Sequence, residues 1–583
     1  MKLIILFLLL FTTHSMALTL STQNISSLIA TNIENKIGEK NKATVQAIYT
    51  KNNYAPLWIA DQNKKRFGEL ITALNNPLFN YKNKQMGRKN IKQLLFMLED
   101  SHIAPQKKEA IYARLDIMMS NSFISLVRFI TQGDVDWKLL QQKMSILKQS
   151  NDIESKWEIT PKSSPTIESL YGAIIENNIQ NYLTTLLPLE QRYRQLVQML
   201  QDYRTMANFP KVTYSNEIFQ LGDSSKKIID IKRRLQISGD LSRSATIDTL
   251  FDKPLQQAVL TYQKRYNLKV DGKIDKVMTY YLNLPAKKNI QQIIVNLDKC
   301  KLYPKSFEKE HIEVNIPDFN LRYYRNNKQI FKTGIVVGRI DRPTPIFSDK
   351  ITYMVLNPTW TIPDNLIKRD LIHTLRDNPN YLMENNIHVF RGKERVTVTS
   401  QELNKYENNS SKVPYRFVQY PGDNNALGRI KFMFPNKYAV YIHDTDNKSL
   451  LERRYKIYSS GCIRVDKPFD LLDIMLPHLQ QSYSHNQIQE ILATLEPTTL
   501  KLTQAIPVHL LYFTVYKEDG LAYFKNDIYL YDQMIWESSQ EQRKETFTLP
   551  NKRFIDVKEN GKESTKPNPI INQALSNEDI AHF

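Results

Sequence analysis

From residue 18 to about 205, apolar side chains return at helical spacing with no sustained alternation, as in Ile111 to Met119 and Leu189 to Tyr203. That spacing predicts a helical domain over residues 18–210. Residues 211–286 change character: Ile228 to Leu235 and Leu255 to Tyr266 fit helices, and a polar loop through Gly239 separates them. Asp271-Gly272 then leads to a third short helix near Thr279, which makes a small three-helix module. A connecting helix follows over 287–310, where Ile293, Ile294, Leu297 and Cys300 share one face, so Cys300 reads as a core residue. At His311 the period shifts to two. Ile312 to Ile316, Leu321 to Tyr324, Ile335 to Val337 and Ile351 to Leu356 predict strands divided by Asn-, Asp- and Pro-containing turns, within a mainly-β domain over 311–480. A more polar, partly helical stretch at about 364–420 reads as an insertion over one face of those strands, and strand character returns at Tyr438 to Ile442. Residues 481–535 form an extension packed on the preceding domains, and the charged residues 536–583 predict a disordered tail.

The first residues point to export. Lys2 precedes the apolar run Leu3 to Phe11, followed by polar Thr12 to His14 and the small-residue stretch Ser15-Met16-Ala17, which is the pattern of a cleaved signal peptide over 1–17. The apolar run would span roughly 14 Å as a helix, too short for a bilayer core of about 30 Å.

Composition narrows the classes. With hydrophobic residues at 41% of 583, the chain can bury sizeable cores. Its net charge of +19 favours an anionic partner: nucleic acid, a membrane surface or a wall polymer. The lysines are scattered and no nucleic-acid motif is present, so nucleic acid is set aside and at most a weak membrane-surface association remains. The ten histidines are dispersed, with no H-E-x-x-H, and no P-loop or dinucleotide fingerprint occurs, so neither a metal nor a cofactor is expected. Fragments of the serine D,D-transpeptidase motifs, such as Lys332-Thr333-Gly334, occur in the wrong order and read as chance matches.

Only two cysteines are present, which excludes a disulfide scaffold. Cys462 sits in the small polar turn Ser459-Ser460-Gly461-Cys462-Ile463-Arg464, where a thiol can meet a substrate. A thiol attacks a carbonyl only as thiolate, so it needs a base or a positive environment beside it. The candidate base is His443, nineteen positions earlier at the end of the apolar run from Tyr438 to Ile442. Gly461 permits a tight backbone whose N–H groups can face a developing oxyanion.

Ile442-His443-Asp444-Thr445 followed by Ser459-Ser460-Gly461-Cys462-Ile463-Arg464-Val465 resembles the active-site signature of the L,D-transpeptidases, the YkuD-domain family. The likeness continues upstream in Val336 to Arg339, Arg342 to Pro345, Asn357 to Pro363, Pro421 to Gly428 and Lys431-Phe432. The small module resembles the peptidoglycan-binding domain type 1. Tyr54 to Trp58 and Gly133 to Trp137 are similar to the scaffold domain of the long, YcbB-type members. Many relatives have Ser-His-Gly-Cys where this chain has Ser459-Ser460-Gly461-Cys462, which leaves the base role to His443.

The resemblance implies an α+β multidomain protein: a helical scaffold domain, a peptidoglycan-binding-like module and a mainly-β YkuD-like catalytic domain with a capping insertion. It implies a periplasmic enzyme in which His443 takes the proton of Cys462. The thiolate attacks a tetrapeptide stem, D-Ala leaves, and a thioester passes to an acceptor amine as a 3-3 cross-link or to water. Carbapenems would acylate the same thiol. Gly461, Ser460 and Tyr441 would support the oxyanion; Arg464, Trp360, Ser459, Asp444 and Thr445 would line the substrate site. The implied partners are peptidoglycan tetrapeptide stems, with a D,D-carboxypeptidase and glycan-polymerising synthases acting upstream. The alternatives are L,D-carboxypeptidase or D-amino-acid exchange activity through the same thioester, and a non-catalytic peptidoglycan-binding protein.

Overall fold

The computed structural model describes residues 21–36, 39–59, 63–151, 155–159, 162–206, 209–408 and 410–540. The signal segment 1–17 and residues 541–583 of the expected tail lie outside them. Residues 531–540, expected to be partly tail, form the helix Tyr531–Gln540.

The chain divides into two compact units. The first comprises residues up to Asp134, Thr160–Asp202 and Leu297–Ser306. It is built on the helix Pro105–Thr131, which opens with proline at its first turn, where a missing N–H costs nothing. At its centre Asp116 is fully buried and accepts from the backbone N–H groups of Leu57 (2.9 Å) and Trp58 (2.8 Å) and from the Tyr49 hydroxyl (2.5 Å). The Trp58 indole N–H donates to Ser120 Oγ one turn on, at 2.8 Å. The Tyr54 to Trp58 motif is thus a chain segment clipped to a buried carboxylate. Cys300 is fully buried in this unit, and burial pushes its thiol up to about 12, so it is an inert core residue.

The second unit contains Val135–Ile159, Tyr203–Asn296 and the chain from Phe307 onward. Residues 135–159, expected within the helical domain, belong here because Trp157 pairs with Ile346 and packs on Tyr531 (ring centroids 5.5 Å) and Tyr512 (6.3 Å). The three-helix module has the expected helices, Lys226–Ile237, Lys253–Arg265 and Lys276–Leu282, and Ser225, Asp252 and Asp275 cap them by accepting from the first-turn N–H groups.

Strands follow in chain order: β1 (His311–Asn315), β2 (Asn320–Arg325), β3 (Lys328–Gly338), β4 (Ser348–Leu356), β5 (Trp360–Thr361), β6 (Ile387–Arg391), β7 (Glu394–Val396) and β8 (Arg416–Gln419). They continue with β9 (Ile430–Met433), β10 (Ile442–His443), β11 (Ile457–Ser459), β12 (Ile463–Val465), β13 (Thr498–Leu511), β14 (Val515–Glu518) and β15 (Leu521–Phe524). The main sheet runs β11-β3-β12-β10-β9-β4-β13-β1-β2, and β2 pairs back onto β3, which closes it as a barrel-like sheet. The architecture is therefore multidomain α+β with a mainly-β, barrel-like region.

The insertion is a folded layer in its own right. Its strands form the sheet β5-β8-β6-β7, and Ile367, Leu371, Ile372, Leu375, Ile387, Val389, Leu403 and Phe417 make a core beneath it. The expected strand Tyr438 to Ile442 shrinks to β10. Asn436 turns the preceding chain by donating to the Phe434 (2.6 Å) and Val440 (2.7 Å) carbonyls, and Ala439 takes a left-handed φ of 54°. Side-chain hydrogen bonding to the local backbone outweighs the β preference of an apolar run here.

Candidate active site

Strand register assembles the site. β10 and β12 run parallel with Ile442 beside Ile463 and His443 beside Arg464, while β9 runs antiparallel to β10 with Phe432 beside Ile442 and Lys431 beside His443. Successive side chains alternate between the faces of a sheet. Ile442, Ile463 and Phe432 therefore share one face, and all three are fully buried in the barrel core. His443, Arg464 and Lys431 share the other. Tyr441 and Cys462, two positions before His443 and Arg464, join that second face.

The turn that presents Cys462 is braced by Ser459. Its buried hydroxyl donates to the Cys462 carbonyl (2.6 Å) and accepts from the Gly461 N–H (3.2 Å), and Gly461 sits at φ 114°, a conformation that favours glycine. The Gly461 N–H, expected to face an oxyanion, is thus already committed to Ser459. The exposed Ser460 hydroxyl accepts from Arg342 Nη1 at 3.1 Å, and Arg342 is in turn paired with Asp370 of the insertion, Nη2 to Oδ1 at 2.9 Å.

Cys462 is half-buried and free. Its Sγ lies 3.9 Å from the Ala439 carbonyl, and the hydroxyl and backbone N–H of Tyr441 both donate toward the sulfur. The Trp360 indole lies close enough to the Tyr441 hydroxyl to favour its ionised form, which ties β5 of the insertion sheet to the residue beside the thiol. The His443 ring meets the Tyr441 ring edge-on, with centroids 5.6 Å apart, and its Nδ1 is buried without a hydrogen-bond partner.

Burial pushes the Cys462 thiol up to about 11, against the lowering effects of the Tyr441 donors, Arg464 and Lys431. Burial, with the nearby charges of Arg464 and Lys431, pulls the His443 imidazole down to about 3. At rest the pair is therefore a neutral thiol beside a neutral imidazole, and ionisation must accompany attack on a substrate. Arg464 is itself lowered by burial, its Nε is buried without a partner, and the Asp446 carboxylate offsets part of that shift.

Three expected substrate-site residues are placed in bracing positions. Asp444 is buried, accepts from the Arg429 N–H (2.9 Å), pairs with Lys448, and fills the space beside Gly428 where a Cβ would lie. Thr445 Oγ1 accepts from the Asn447 N–H at 3.2 Å, and Ser459 serves its own turn as described. Trp360, Tyr441 and Arg464 do lie at the site. Sequence reasoning passed over Lys431, Arg342 and the Ala439 carbonyl. The polar-apolar alternation Arg429-Ile430-Lys431-Phe432 carried a signal for Lys431, since it puts the lysine opposite a core residue. Among the described residues, no cluster of three or more His, Cys, Asp or Glu side chains could hold a metal ion.

Residues 309–494 match the L,D-transpeptidase catalytic domain (YkuD), residues 43–200 the Scaffold domain and residues 224–279 the "Putative peptidoglycan binding domain". The chain thus carries an L,D-transpeptidase catalytic domain together with scaffold and peptidoglycan-binding modules. A "Putative L,D-transpeptidase" of Haemophilus influenzae is 34% identical over 245 residues, 42% of this chain and 49% of that protein. Metalloendoproteinase 1 of Glycine max is 30% identical over 89 residues, 15% of this chain and 29% of that one. The chain spans about half the length of the first relative and under a third of the second. Among solved structures, an L,D-transpeptidase of Xylanimonas cellulosilytica (12% identity, TM-score 0.18) is fully covered by 51% of this chain. One from Stackebrandtia nassauensis (14% identity, TM-score 0.19) is covered to 99% by 53% of it. The domain assignment rests on the sequence matches, because superpositions at such TM-scores carry no weight.

Proposed function

We propose that the protein is a peptidoglycan L,D-transpeptidase with Cys462 as nucleophile and His443 as general base and acid. The carrying observation is the register that places Tyr441, His443, Cys462 and Arg464 on one face of the sheet, beside the folded insertion. His443 takes the thiol proton as Cys462 attacks the carbonyl that precedes the terminal D-Ala of a tetrapeptide stem, and the Cys462 N–H and Tyr441 receive the oxyanion. Collapse to the thioester expels D-Ala, whose amine takes the proton from His443. Burial, with the charges of Arg464 and Lys431, disfavours the imidazolium and so favours that return. An amine of a second stem then attacks the thioester and forms a 3-3 cross-link.

The insertion acts as a cap over the groove and Arg464 holds a stem carboxylate. Water in place of the amine gives carboxypeptidase activity, and a D-amino acid gives exchange. The substrate implies a location outside the cytoplasm, in the periplasm, reached by the expected signal peptide. Among the described residues no helix is long and apolar enough to cross a membrane. The three-helix module is held to β15 by the buried Arg265, which donates to the Ala522 carbonyl at 2.6 Å, and by Tyr266 stacked on Phe524 at 5.4 Å. That packing supports a module that holds the catalytic region in shape as well as one that grips wall polymer.

The test is mass spectrometry of disaccharide-tetrapeptide incubated with the protein beside a Cys462→Ala control. Dimers with a tripeptide donor, absent from the control, support transpeptidation. Tripeptide monomer alone means a carboxypeptidase, and no product in either sample leaves a non-catalytic wall-binding protein.

A further inference from the structure

Lys431 stands on the active face in an unusual position. It is half-buried in the middle of the sheet, its Cα is paired with that of His443, and its Nζ lies 5.8 Å from the centroid of the Tyr441 ring. Among the described residues it forms no ion pair with a carboxylate, although a buried ammonium is costly without a countercharge. The anionic group that acts on it is Cys462 in its thiolate form. Tyr441 and Arg464 also act on the sulfur, His443 shares its face of the sheet, Trp360 of β5 acts on Tyr441, and Tyr353 of β4 lies farther along the same face. Of the two cations, Arg464 acts more strongly on the sulfur but has part of its charge answered by Asp446, whereas Lys431 has Cys462 alone as its anionic neighbour.

We propose that the Lys431 ammonium is the electrostatic countercharge of the Cys462 thiolate, stabilising the sulfur anion as the thiol proton moves to His443. The inference deepens the transpeptidase reading and rests on it. Lys431 acts here through the ionisation of Cys462, as a positioning residue that binds no part of the stem. It supplies the positive environment that a thiol raised by burial requires before it can attack. It also accounts for a lysine in a sheet position whose neighbours toward β4 are the uncharged Val355 and Tyr353.

The experiment is alkylation of the full chain by iodoacetamide across pH 6 to 11, read by intact mass, with Cys462→Ala defining the background of the buried Cys300. In Lys431→Met the alkylation rate at pH 8 falls at least fivefold and the rate-pH curve moves to higher pH, while Lys431→Arg stays within twofold of the parent. An unchanged curve in Lys431→Met, or an equal loss in Lys431→Arg, overturns the proposal. If Lys431→Met does not fold, as judged by its thermal transition, Lys431→Gln is read by the same criteria. Iodoacetamide needs no stem peptide, so this result stands or falls separately from the cross-linking assay.

Discussion

His443 and Arg464 lie side by side across the parallel pairing of β10 and β12, and that single register places Cys462 on the same face as Tyr441 and the imidazole. A one-residue slip would turn Cys462 into the barrel core and Ile463 into the groove. Cys462 is thus aimed by ladder hydrogen bonds and by core residues on the opposite face, and not by a direct hydrogen bond to His443.

Tyr441→Phe removes the hydroxyl that donates toward the sulfur and lies close to the Trp360 indole. A hydrogen bond of about 1.4 kcal/mol corresponds to a tenfold change, so acylation of Cys462 should slow by roughly tenfold. Trp360→Phe should act in the same direction and more weakly. Stopped-flow acylation by a carbapenem, with thermal melts to confirm folding, checks both.

Gly428→Ala should be strongly destabilising. Gly428 has φ 60°, and a Cβ there would lie 2.3 Å from Asp444 Oδ2, inside a buried turn. Strain of this kind costs about 1–3 kcal/mol before the displaced carboxylate is counted. Urea denaturation should show a lower midpoint with an unchanged slope.

The depressed imidazole of His443 makes stability fall on the acid side. Unfolded, it takes up a proton as pH drops through about 6.5, whereas in the fold it resists protonation down to about 3. Stability attributable to this group is complete above pH 6.5 and is lost progressively toward pH 3, by at most about 1.4 kcal/mol per pH unit. His443→Gln should flatten that part of the stability profile while abolishing turnover, as measured by denaturant titrations at stepped pH.

Asp116→Ala should cost the helical unit about 3 kcal/mol, because it strands the Leu57 and Trp58 N–H groups and the Tyr49 hydroxyl in a dry core. Hydrogen exchange at Leu57 and Trp58 should accelerate first.

The proposed nucleophile and base, Cys462 and His443, stand out in the chain because their motif is short and local: a glycine turn, a cysteine, and a histidine next to an apolar residue. The helices and their caps could be read for the same reason. Lys431 could not be assigned a role, since its place beside His443 depends on a β9–β10 pairing across a twelve-residue gap. The sheet β5-β8-β6-β7 was hidden because its strands are short and β5, β6 and β8 lie far apart in sequence, so only the helical part of the insertion was legible. The run from Tyr438 to Ile442 was read as one strand because its residues suit a pleated sheet, while the fold takes the turn made by Asn436 and Ala439. Asp444, Thr445 and Ser459 were named for the substrate site because they adjoin Cys462 and His443; their hydrogen bonds to the local backbone, which brace the turns, could not be read from the chain.

The most direct test of the central claim is intact-protein mass spectrometry after rapid acid quench of the chain mixed with disaccharide-tetrapeptide. A covalent adduct of the donor less D-Ala, mapped to Cys462 and absent from Cys462→Ala, is the predicted result. No adduct on Cys462 from either the tetrapeptide or a carbapenem, in a protein with an intact thermal transition, would contradict the account.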